Sequence, residues 1–83
     1  MTKETEQLYI LLFRLGYHMR DVCAHADVGV QTPTRWKIHG LMPRPAVFNR
    51  LLAGMVDMGV KDGKLPEKSR GKTVGDVLEM GVL

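Results

Sequence analysis

Leu8, Leu11, Leu12 and Leu15 fall at i, i+3, i+4 and i+7, the spacing that lines one buried face of a helix. Thr2 or Thr5 can cap the helix that this pattern predicts. It runs to about Leu15 and stops at Gly16, where a left-handed cap is usual. Tyr9, Ile10 and Phe13 add apolar surface on a neighbouring face, more than a lone helix exposes. This helix is therefore well covered, or it also contacts a partner.

Met19, Val22, Cys23 and Ala26 repeat the helical spacing and predict a second helix from about His18 to Ala26. Asp27, Val28 and Gly29 break it. A third run opens near Val30 or later. Thr32-Pro33 reads as an N-cap followed by proline at the first helical position, which favours a start at Thr32 or one residue before it. Gly40 stops this helix after His39. Met42-Pro43-Arg44-Pro45 is a rigid turn, and Pro45 can open a fourth helix to about Met58, with Val47, Leu51, Leu52 and Met55 inward and Phe48 and Met58 beside them. Gly54 weakens that helix or admits a close neighbour. Lys61 to Lys72 is polar, basic-leaning and broken by Gly and Pro, and reads as a mobile linker. Thr73, with Asp76 three residues on, caps a short last helix striped by Val74, Val77 and Leu78. So short a helix does not persist alone; it docks on its own domain or on another subunit. No strand pattern of any length is present, although Gly40 to Arg44 fits a small wing.

The expected fold is an all-α domain of four to five helices. Residues 1–59 form the domain, 60–72 a basic linker, and 73–83 a short C-terminal helix that can serve dimerisation. A chain of 83 residues makes one domain and buries only about 60% of its extended surface, so stability is marginal. Cys23 is the single cysteine, cannot form an internal disulfide, and lies on an apolar helix face as a small core residue. The apolar run Leu8 to Phe13 is too short for a membrane span or a signal core. The chain reads as a cytoplasmic protein. His18, His25 and His39 lack ligand spacing, and no nucleophile–base pair or glycine-rich phosphate loop stands out. The expectation is a non-enzyme with no metal and no cofactor.

Net charge is +3, but its distribution is uneven. Residues 1–27 hold three basic and four acidic groups, and residues 57–83 hold five of each. Between Val28 and Val56 stand Arg35, Lys37, Arg44, Arg50 and His39, with no acid. A polyanion is attracted there.

Two short helices joined by a tight turn, the second rich in groups that bond phosphates and bases, form the helix-turn-helix pattern. Its second helix is expected around residues 31–39. Arg35 can bond guanine O6 and N7 together or hold a phosphate; Gln31 can pair with adenine; Thr34 can meet a base or a thymine methyl. Lys37, His39 and Arg44 flank that surface and suit phosphates, and Arg20 near the start of the second helix suits one as well. Trp36, three residues after Pro33, points inward.

Residues 22–37 resemble the helix-turn-helix of phage-type repressors and Cro-like regulators. That family often reads L-A-x-x-A-G-V-S-x-x-T-V-S-R-W-K here, and Ala26, Val28, Thr32, Arg35, Trp36 and Lys37 match. Val22, Cys23 and Thr34 are conservative. The flanking helices extend the resemblance to about residues 5–58. Two positions depart from the pattern: Asp27 replaces the turn glycine, and Pro33 replaces the apolar anchor of the second helix. The resemblance implies a lambda-repressor-like fold, a DNA surface that includes Thr32, and a homodimer on a palindromic operator. Val30-Gln31-Thr32 through Gly40-Leu41-Met42-Pro43 is also similar, more weakly, to the MerR-like and excisionase-like winged motif. The expected function is a sequence-specific, double-stranded-DNA-binding regulator, a repressor of phage or mobile-element type. The alternative is a protein–protein adaptor or an architectural factor on the same fold.

Overall fold

The computed structural model describes residues 2–83. Five α-helices, α1 (Lys3–Leu15), α2 (Met19–Ala26), α3 (Gln31–His39), α4 (Pro45–Lys61) and α5 (Val74–Met80), make a small all-helical domain, with one 3-10 turn at Glu67–Ser69. Among the described residues there is no strand, and Gly40–Arg44 is irregular chain rather than a wing.

α1 buries the predicted stripe, Leu8, Leu11, Leu12 and Leu15. Thr2 caps it: the Thr5 amide donates to Thr2 Oγ1 at 3.2 Å. Gly16 closes it at φ 75°. α4 is the central strut. Its inner residues Leu51, Leu52, Met55 and Val56 meet Val22 and Cys23 of α2 in one core with the α1 leucines and Trp36. Gly54 sets the α2–α4 approach, because a Cβ there would lie 2.9 Å from Ala26 Cβ. Asp27 follows α2 at φ 56°, ψ 49° and takes the left-handed position that glycine fills in the resembled pattern.

Two expectations are corrected. First, α4 does not end near Met58 but runs to Lys61, so the boundary placed after residue 59 falls inside a helix. Second, the segment expected as a mobile linker is packed. Leu65 and Ser69 are buried, and Leu65 covers Gly59, whose absent side chain leaves room for it: a Cβ there would meet Leu65 Cδ1 at 2.8 Å. Lys64 Nζ donates to the Leu15 carbonyl at 2.7 Å, and Arg70 reaches back to Asp57 at 2.7 Å. Of the two dockings expected for the last helix, the structure shows the one on its own domain: α5 packs on α1, with Val74 and Val77 buried. Its cap is the expected one: the Asp76 amide donates to Thr73 Oγ1 at 3.2 Å. Among the described residues, no helix is long and apolar enough to cross a membrane.

Candidate nucleic-acid interface

α3 is pinned from beneath. Pro33 and Trp36 are buried, and the Trp36 ring lies 6.3 Å from that of Phe48 on α4. Pro33 stands third in the helix, where the missing amide N–H has no intrahelical carbonyl to lose. The helix begins at Gln31, one residue before Thr32, with Val30 at its start in helical conformation. Thr32 is therefore inside the helix and not its N-cap, and its amide donates to the Gly29 carbonyl at 3.0 Å. Tyr9 of α1 fixes the other side: its hydroxyl donates to the Pro33 carbonyl at 3.2 Å, and the Lys37 ammonium lies 5.5 Å from its ring centroid. Burial is the main cause that raises the Tyr9 pKa, with a smaller electrostatic contribution from Cys23, so the hydroxyl stays a donor.

With Trp36 and Pro33 inward, Gln31, Thr34, Arg35 and Ile38 share the outward face at i, i+3, i+4 and i+7, and all four are exposed. Thr34 Oγ1 donates to the Val30 carbonyl at 3.4 Å, a weak contact on an exposed side chain. Arg35, Thr32 and Arg44 come together in one open cleft of about 380 Å³, walled by Trp36, Leu41 and Met42. The extended turn alternates its sides. Met42 and Arg44 line this cleft, whereas Pro43 and Pro45 line a separate apolar groove of about 680 Å³ with Phe48, Leu52, Val56 and Val74. Lys37 leans toward α1, and His39 is exposed at the end of α3. Arg20 is exposed on the first turn of α2 and is not a wall of the cleft.

The sequence reading missed four residues. Ile38, 68% exposed, completes the α3 face, and its spacing from Gln31 was the signal. Tyr9 joins α1 to α3 across a sequence separation that no local pattern reveals. Leu41 and Met42 are exposed beside the two arginines. Among the described residues, no group of three or more His, Cys, Asp or Glu side chains gathers as a metal site. No protein family, no curated protein and no solved structure matches this chain.

Proposed function

We propose that this chain is a sequence-specific double-stranded-DNA-binding regulator of the repressor type, with α2, the turn at Asp27–Val30 and α3 acting as a helix-turn-helix. One observation carries the reading. Gln31, Thr34, Arg35 and Ile38 form a single exposed face on a helix anchored by Pro33 and Trp36, inside a stretch of sequence that holds four basic residues and no acid. A major groove admits an α-helix and displays acceptors for Arg35, a donor–acceptor pair for Gln31, and thymine methyls for Thr34 and Ile38. Lys37, Arg44 and Arg20 supply phosphate contacts around it. Such a site reads few base pairs, so two copies on a palindrome raise specificity. Selection of bound duplexes from a random pool tests the reading. Enrichment of one motif, with affinity falling steeply as salt rises, is the expected result; an unenriched pool overturns it.

A second reading has its own support. Val30, Ile38, Leu41 and Met42 place exposed apolar side chains on and beside the same face, which suits a protein partner. An adaptor of that kind shows neither sequence selection nor a salt slope on DNA.

A further inference from the structure

The apolar groove beside Pro43 and Pro45 is long and recessed. Pro45, Phe48, Asn49, Leu52, Ala53 and Val56 line it at helical spacing along one side of α4. From Pro45 to Val56 that stripe runs about 16 Å at the rise of an α-helix. Leu52, Val56 and Val74 line the groove and yet are only 7%, 3% and 4% exposed, so its apolar surface lies at the bottom of a concavity. A flat protein face does not reach such a floor; a slender molecule does. The volume of about 680 Å³ falls within the range of small-molecule pockets.

One wall of the groove carries donors. Arg70, Gly71, Lys72 and Thr73 follow one another along it. Arg70 donates Nε to Glu67 and Nη1 to Asp57, each at 2.7 Å, and its Nη2 has no partner among the described residues. Asp57 follows Val56, so this bond holds the guanidinium at the Val56 end of the stripe. Lys72 is exposed and makes no ion pair among the described residues. The Thr73 hydroxyl accepts from the Asp76 amide, which leaves its own proton to donate. Glu4 is the one acid among the lining residues, against two cations.

We propose that this groove binds a small apolar monocarboxylic acid, its body along Phe48, Leu52 and Val56 and its carboxylate on Arg70 and Lys72. An ionised carboxylate only accepts hydrogen bonds, which matches a wall of donors. The guanidinium and the ammonium make those bonds charge-assisted. The apolar remainder leaves water for the floor of the groove. A molecule seated there also abuts Pro43 and Pro45, whose neighbours Met42 and Arg44 line the α3 cleft. The acid is thus placed against the turn that presents Arg44. A regulatory meaning for that contact rests on the DNA reading above; the site itself does not.

Titration of the full chain with phenylbutyrate, followed by amide shifts in nitrogen–proton correlation spectra, tests the site. Saturating shifts at Phe48, Ala53, Val56, Lys72 and Val74 are expected, with a dissociation constant below about 10 mM. Phenylbutanol and phenylbutylamine keep the body and lose the carboxylate, and should bind several-fold more weakly. Lys72→Glu should raise the dissociation constant of the acid several-fold. Ala53→Trp, which fills the groove from an exposed helix position, should abolish the shifts with an unchanged helical circular dichroism spectrum. Arg14→Glu, an exposed charge reversal outside the groove, should leave binding unaltered. Absence of saturating shifts, equal affinity for the alcohol or the amine, or a Lys72→Glu chain that binds the acid as the wild type does, overturns the proposal. Groove shifts that grow with protein concentration in the absence of acid identify a second copy as the occupant and overturn it as well. If the acid binds and the chain selects no DNA motif, the site stands and the α3 reading has failed.

Discussion

Gly54 of α4 lies directly against Ala26 of α2: a Cβ on Gly54 would stand 2.9 Å from Ala26 Cβ and 3.4 Å from Ala26 Cα. The last turn of α2 leads straight into the turn that delivers α3, so this crossing sets where the candidate reading helix emerges. Alanine is favoured over glycine in a helix by about 1 kcal/mol, yet here the added methyl meets backbone as well as a side chain. Gly54→Ala should therefore destabilise by about 1–3 kcal/mol, the usual cost of overpacking. Urea unfolding measures it. The double variant Gly54→Ala with Ala26→Gly removes the opposing methyl and should recover part of the loss. A Gly54→Ala chain more stable than wild type would show that the crossing has slack.

Leu65 gives a second test, because its role separates a packed segment from a linker. It is 2% exposed and lies over Gly59 beside Leu15. Leu65→Ala should cost about 2–5 kcal/mol, the range for a buried leucine. Thermal unfolding of the variant checks this. A change near zero would restore the mobile-linker expectation for residues 60–72.

Asp57 ties three parts of the chain together. Arg70, His25 and Lys61 reach its carboxylate at 2.7, 2.8 and 3.0 Å. The hydrogen bond from Arg70 is the largest cause, followed by those from His25 and Lys61, and together they hold the carboxyl well below the usual carboxylate range. A folded-state pKa below the unfolded one stabilises the fold above the unfolded value, about 3.9 for aspartate. That contribution is lost as pH falls from there toward the depressed folded value. Urea midpoints between pH 5 and pH 2 should drop for the wild type and drop less for Asp57→Asn, which has no proton to take up. Parallel acid limbs for the two chains would show that the cluster contributes nothing to pH dependence.

Much of the helical frame was legible because it is written at local spacing. The α1 leucines, the Thr2 and Thr73 caps, Gly16 after α1 and Pro45 opening α4 each act within one or two helical turns. Asp27 was marked as the residue standing in the turn-glycine position, and it adopts the left-handed conformation that position needs. The errors share a physical cause. Residues 61–72 look like a linker by composition, but two buried side chains, Leu65 and Ser69, and the Arg70–Asp57 pair hold them down. Those contacts join residues distant in the chain, and a period or a composition does not record them. Tyr9 beneath Lys37 escaped for the same reason. At Thr32 the cap signal competed with a turn one residue earlier, in which Val30 already has helical dihedrals. Ile38 stands seven residues after Gln31, at helical spacing, but its apolar side chain carries no charge or polar group that marks a base contact in a sequence.

The central claim is that the outward face of α3 reads bases while its flanks hold phosphates. The most direct test is paired titration of Arg35→Ala and Lys37→Ala against the selected duplex and a scrambled one over a range of salt. Arg35→Ala is expected to cost about 1–3 kcal/mol on the selected duplex, with little effect on the scrambled one. Lys37→Ala is expected to weaken both duplexes alike and to reduce the salt slope by about one. Equal losses from Arg35→Ala on the two duplexes would contradict base reading by α3, and salt-independent binding by the wild-type chain would contradict a DNA surface altogether.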